Sequence, residues 1–317
     1  MATAQDPTPS TRAARIETLA VPGGALEARF AAGAGMVGCS LRHRGEELLG
    51  LRGGLEAYLA HGKTFGIPLL YPWANRLGAW EYETAGRRVV LDRDSGLQRV
   101  DEHGLPIHGA LARGLHWEVT GTGSAGGEAW LEATLDWPPD RPPFALFPFA
   151  HRVVLRAALR SRTLRIEATV SATGDAPVPV SFGFHPYLTP PGAPRAEWEV
   201  ELPALVHLAL DDRGLPTGAR EDRPAERFAL GERTYDDLFV AGGDGARFAV
   251  SDGVRRIAVE FESGFPYAQI FAPPTEDVVC FEPMTAPVDA LRTHDGLRTV
   301  APGEQETAAF AVHVDPA

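Results

Sequence analysis

The sequence predicts an all-β fold, a large antiparallel β-sandwich, on three observations. Thirty-four glycines and 27 prolines, 61 of 317 residues together, leave little room for long helices. Short runs alternate apolar and polar residues with period two, the pattern of a strand with one covered face. Clusters of turn-forming residues separate those runs at short intervals.

The alternation is clearest at 163–170, where Leu164, Ile166, Ala168 and Val170 share one face and Arg165, Glu167 and Thr169 the other. Residues 256–262 repeat it, with Ile257, Val259 and Phe261 opposite Arg256, Glu260 and Glu262. Similar strands are expected at 88–91, 117–120, 130–135, 152–159, 197–202, 247–250, 269–272 and 308–314. Alternation of this kind belongs to antiparallel sheets, because parallel strands covered on both faces read as continuous apolar runs. Turns are expected at 121–127, 138–143, 189–194 and 242–245. Two stretches, 48–59 and 287–291, could be short helices. No interdomain linker stands out, so residues 15–317 are expected to form one domain behind a disordered tail of residues 1–14.

Thirty basic residues against 42 acidic ones give a formal charge of -12. That balance argues against nucleic acid and anionic lipid as partners, since both need a basic face. Lys63 is the single lysine. Cys39 and Cys280 cannot frame a chain of this length with disulfides. The polar opening lacks the apolar core of a secretory signal, and no apolar run approaches the ~18 residues of a membrane span. A cytoplasmic location is expected.

Four segments break the alternation and gather most of the chemically capable side chains. Residues 66–78, GIPLLYPWANRLG, end in Asn75 and Arg76. Residues 102–109, EHGLPIHG, carry His103 and His108. Residues 181–191, SFGFHPYLTPP, set His185 between Phe184 and Pro186. In residues 278–288, VVCFEPMTAPV, Glu282 interrupts an apolar run. A lone His is more often structural than catalytic, Arg76 could simply lie over Trp73, and Asp236–Asp237 could be a turn. Glu282 is harder to dismiss. A carboxylate in a buried strand must be paired, protonated or functional, and desolvation would raise it toward the range of a general base. His185, among Phe182, Phe184, Pro186 and Tyr187, sits where a rigid loop could hold a proton donor beside a stacked sugar. One His and one Glu in separate unusual segments suggest acid–base chemistry on a neutral polar molecule.

Other chemistries fit less well. No GxGxxG opens a βαβ unit, and there is no GxxxxGK[ST], no GxSxG and no HExxH. A cupin-like metal site from His103, His108, His185 and Glu282 is a minor alternative. A glycosidase pair would need a second buried carboxylate, for which Asp236 or Asp237 is the obvious candidate.

With these segments in hand, the sequence resembles the aldose 1-epimerase (galactose mutarotase-like) family, including its hexose-6-phosphate epimerase-like branch, from about residue 20 onward. The resemblance rests on Asn75–Arg76, His108–Gly109, His185–Pro186–Tyr187, Asp236 in YDDLF and Glu282 in CFEPMTAP, in that order. It implies a β-supersandwich with an open cleft across one sheet, no metal and no cofactor, in a monomer or homodimer acting on a small-molecule sugar. Glu282 would take the proton of the C1 hydroxyl while His185 protonates the ring oxygen. Arg76, Asn75, His108, Asp236 and His103 would bind substrate. A cationic His185 is expected to begin the reaction, favoured by Asp236 or Glu282. Two departures, Ala110–Leu111–Ala112 after the HG pair and Pro-Met-Thr-Ala-Pro after Glu282, bear on the identity of the sugar. A hexose-6-phosphate 1-epimerase, a sugar-binding protein without catalysis and a metal-dependent isomerase remain open as alternatives.

Overall fold

The computed structural model describes residues 15–316, so the expected tail, residues 1–14, lies outside the described residues. Two large antiparallel sheets dominate. The nine-stranded sheet runs, in spatial order, Trp117–Ala125, Glu128–Trp137, His151–Arg160, Thr163–Ala172, Gln305–Pro316, Arg255–Ser263, Ala246–Ser251, Glu199–Leu202 and Glu226–Ala229. The eight-stranded sheet runs Pro216–Arg223, Leu205–Leu210, Tyr235–Val240, Tyr267–Ala272, Val279–Met284, Gly183–Phe184 and Leu69–Leu70, with Tyr187–Leu188 pairing beside Val279–Met284. A four-stranded sheet begins with Ile16–Ala20, Leu26–Ala31 and Val37–His43.

The two large sheets meet through their alternating apolar faces, as the period-two runs require. Phe248 of the nine-stranded sheet stacks on Phe281 of the eight-stranded one at 5.5 Å, and Phe310 meets Phe184 at 5.0 Å. Because successive side chains point to opposite faces, Phe281 in the core sends Cys280, Glu282 and Met284 to the other face of the sheet. That outer face is covered too. Met284 packs with Leu70, Ala74, Leu105, Leu215, Leu238 and Val288, contributed by covering segments and neighbouring strands. The strand therefore reads as apolar throughout although its two faces do different things.

Three expectations need correction. The helix expected at 48–59 forms at Gly54–His61, because the stretch before it is drawn into strand-like pairing. Leu48 N–H donates to Leu41 and Gly50 N–H to Tyr187. The helix expected at 287–291 begins only at Ala290, since Asp289 stands at φ 65. The expected turn at 121–127 is mostly strand. Gly121 and Gly123 lie under the Trp130 ring, where an added Cβ would come within 2.9 and 2.7 Å of it. Only Gly126 and Gly127 turn the chain, at φ 60 and 78.

Candidate active site

Glu282 stands inside the Val279–Met284 strand, directly across from Gln269 on Tyr267–Ala272. His185 follows the two-residue strand Gly183–Phe184 on the opposite flank, and its backbone N–H is fixed to the Pro68 carbonyl. The two side chains meet, with His185 Nε2 3.2 Å from Glu282 Oε1. Both are buried, at 5% and 1% exposure.

Burial pushes the Glu282 carboxyl well up, with the nearby Asp236 adding to it. Burial likewise pushes the His185 imidazole well down, and the charges of Arg52 and Arg99 add to that. The pair is thus held neutral overall, with one proton between two touching groups. The expected favouring of a cationic His185 by Asp236 or Glu282 is outweighed at rest by burial.

Four buried polar atoms here lack a hydrogen-bond partner: His108 Nδ1, His185 Nδ1, Gln269 Oε1 and Glu282 Oε2. Such atoms cost about 1–3 kcal/mol each, so their gathering at one place signals a surface built for a polar ligand.

His108 faces His185 edge to plane at 5.8 Å. It sits at φ 63, and Gly109 after it at φ 67, where a Cβ would strike the Tyr71 carbonyl at 2.2 Å. Asn75, at φ 55, accepts the His108 N–H at its own carbonyl. Non-glycine residues in this region of φ are uncommon and are held only where the surroundings over-determine them. Burial above all keeps His108 neutral, by lowering it well below the usual imidazole range. Arg76 is buried and already engaged, donating through Nε to Asp101 at 2.7 Å and through Nη2 to Glu102 at 3.1 Å.

Asp236 and Asp237 point to opposite faces. Asp236 accepts from Gln269 Nε2 at 2.7 Å. Part of its side chain remains open to solvent, yet the surrounding protein still raises its carboxyl through desolvation. Asp237 instead meets His207 at 3.1 Å and lines a separate cavity of about 370 Å³. The site opens to solvent past Asp236, His108 and Phe271, the last packed edge-on against His185 at 5.6 Å.

Of the residues singled out in the sequence, Asn75, Arg76, His108, His185, Asp236 and Glu282 come together. His103 stands at the rim, exposed, 3.7 Å from Glu102. Among the described residues no three His, Cys, Asp or Glu side chains are arranged to hold a metal. Gln269 was missed. Its signal was available, since a polar residue between Ala268 and Ile270 is the same anomaly as Glu282 between Phe281 and Pro283.

Residues 25–313 match the aldose 1-epimerase family. The chain belongs to the aldose 1-epimerase family. The fold of this family member is similar to a galactose mutarotase-like protein from Clostridium acetobutylicum, at a TM-score of 0.81 and 18% identity, covering 96% of this chain and 99% of the other. It is also similar to a protein from Synechocystis, at a TM-score of 0.77 and 23% identity over 96% of each chain. A galactose 1-epimerase from Lactobacillus acidophilus aligns at a TM-score of 0.74 and 14% identity, over 93% and 92% of the two chains. None of the curated proteins matches the chain in sequence. No helix among the described residues is long and apolar enough to cross a membrane.

Proposed function

We propose that this aldose 1-epimerase family member interconverts the α and β anomers of an aldohexose by acid–base ring opening. The observation that carries the reading is the 3.2 Å contact between His185 and Glu282. In a cyclic aldose the hydroxyl oxygen and the ring oxygen are bonded to the same carbon, so the acid and the base must stand side by side. Glu282 as carboxylate takes the C1 hydroxyl proton, and His185 as imidazolium gives one to the ring oxygen. The C1–ring oxygen bond breaks to leave a free aldehyde and a new hydroxyl. Rotation about C1–C2 presents the other carbonyl face, and the two proton transfers run backward to close the ring.

A neutral pair sharing one proton suits this cycle. Moving the proton from Glu282 to His185 across their contact creates the reactive form without taking charge from solvent. Each proton-transfer group contributes roughly 10²–10⁴-fold, enough for a reaction that already proceeds unaided. Gln269, Asp236, His108 and Arg76 offer the mixed donors and acceptors that hydroxyls require, with Phe271 beside them as an apolar surface.

The test is NMR of freshly dissolved single anomers across a panel of hexoses and hexose 6-phosphates. Anomer exchange accelerated by enzyme is expected. Binding without acceleration would make the protein a sugar-binding module instead.

A further inference from the structure

Two side chains outside the sugar-facing set, Arg52 and Thr64, meet His185 at one hydroxyl, that of Tyr187. Arg52 Nη1 donates to the Tyr187 hydroxyl oxygen at 3.0 Å, and Thr64 Oγ1 lies 2.7 Å from it. The same hydroxyl is 3.1 Å from His185 Nε2, and the Tyr187 and His185 rings stack at 4.1 Å with 7° between their planes. Glu276 grips Arg52 with both oxygens, at 2.6 and 2.9 Å. Arg52 stands at φ 47, in the very stretch that departs from the expected helix. Its second anchor is the Thr64 carbonyl, at 2.9 Å. A strained arginine, doubly held, pointing at the partner of His185 calls for a use.

We propose that Arg52, anchored by Glu276, is a positioning residue that acts through the Tyr187 hydroxyl to keep the His185 proton ready for transfer. The inference rests on the acid role given to His185 above. A tyrosine hydroxyl has one proton to donate and two lone pairs to fill. Arg52 occupies one lone pair permanently. The other accepts from Thr64 or from a protonated Nε2, and the proton turns to Thr64 or to a bare Nε2. The hydroxyl therefore satisfies His185 both before it gives its proton to the ring oxygen and after.

Arg52 also biases that exchange. Its charge opposes a second charge on His185, in the same direction as burial. The other groups facing His185 are Glu282, His108 and Arg99, with Cys280 across from Tyr187 in the neighbouring strand. Asp236 and Arg76 act on Glu282. Arg52 is distinct among them because its own counter-charge, Glu276, lies outside the sugar-facing set.

That arrangement predicts shifts of opposite sign. Arg52→Met removes a positive charge and moves the His185 titration up. Glu276→Gln uncovers that charge and moves it down. Each shift is expected at about half a pH unit, a roughly threefold change in rate at fixed pH on the limb that His185 controls. The readouts are the His185 imidazole resonances by NMR in the full chain and the pH profile of anomer exchange. Loss of a merely structural contact would move both variants the same way, or neither, and either result overturns the inference. If Arg52→Met does not fold, Glu276→Gln decides alone, a downward shift supporting the inference and an upward or absent one overturning it. Because the titration is read on the imidazole, opposite shifts in a protein lacking anomer exchange would uphold the linkage and defeat the epimerase reading.

Discussion

Gln269 and Asp236 are joined at 2.7 Å through an amide N–H and a carboxylate, while the Gln269 carbonyl oxygen lies buried with no partner. The carboxylate can only accept, so the amide orientation is fixed and the free oxygen is the one left for a substrate hydroxyl. Gln269→Leu is expected to lower kcat/KM roughly tenfold, the ~1.4 kcal/mol of one hydrogen bond, with the unfolding midpoint little changed. Wild-type kinetics in that variant would remove Gln269 from the site.

Glu282→Gln is expected to slow anomer exchange at least about 100-fold, as is His185→Asn. The double variant should be little slower than either, because the two groups act as one unit. Retention of more than about a tenth of the rate by Glu282→Gln would exclude it as the base. A stability gain accompanies the loss. The folded-state carboxyl is raised, so its stabilising contribution is present below the unfolded value of 4.5 and lost as pH rises. Glu282→Gln should accordingly be more stable than wild type at pH 7, with the difference shrinking toward pH 4 in urea melts.

His151 gives the protein an acid sensitivity of its own. Its imidazole is pinned between the Tyr71 hydroxyl at 2.5 Å and the Phe149 carbonyl at 2.6 Å, and burial lowers it to about 4. A depressed value means that stability is complete above 6.5 and is lost as pH falls toward 4, by about 3 kcal/mol if the whole shift is expressed. His108 and His185 push the same way. Equilibrium unfolding across that window should steepen accordingly, and His151→Gln should flatten it. A His151→Gln profile no flatter than that of wild type between pH 6.5 and 4 would contradict the assignment.

Free aldohexoses are expected to be turned over at least as well as their 6-phosphates. Of the cations considered for a phosphate, Arg76 is charge-paired with Asp101 and Glu102, Arg292 with Asp289, and Arg113 donates to the backbone carbonyls of Ala60 and Gly96, which leaves the exposed Lys63. The comparison is kcat/KM for glucose and galactose against glucose 6-phosphate at two ionic strengths. A phosphate preference above about tenfold, ~1.4 kcal/mol, would overturn the expectation. Arg99, whose charge reaches both His108 and His185, would then be the residue to change first.

Much of this was legible in the chain, for reasons that particular residues make plain. Leu164 to Val170 alternates because one face of its strand meets the core and the other meets water, so pattern and structure coincide. Val37–His43 escaped notice because Gly38, Cys39 and Ser40 blur the contrast between faces. Glu282 was conspicuous because a carboxylate in an apolar run has few bland uses. Gln269 was not, since an amide in a strand is unremarkable until its neighbours are known. Spacing from Phe239 favoured Asp236 but did not firmly separate it from Asp237. The pleat does, sending one to the site and the other to His207. How far burial disfavours a charged His185 was not legible, because a sequence shows which groups exist and not how much water they lose.

The strand Gln305–Pro316 lies between Thr163–Ala172 and Arg255–Ser263, and it is the sole seam between two blocks of the nine-stranded sheet. One block is a meander built from residues 117–172, the other is drawn from residues 199–263. Neither can recruit the other until a segment more than a hundred residues distant from the first has docked, which makes assembly dependent on remote pairing and correspondingly slow. Before docking, Thr163–Ala172 and Arg255–Ser263 are bare edges, each ten or nine residues long and apolar on one side. Such edges accept any strand of matching pattern, so a chain lacking this closing segment should associate with its own copies.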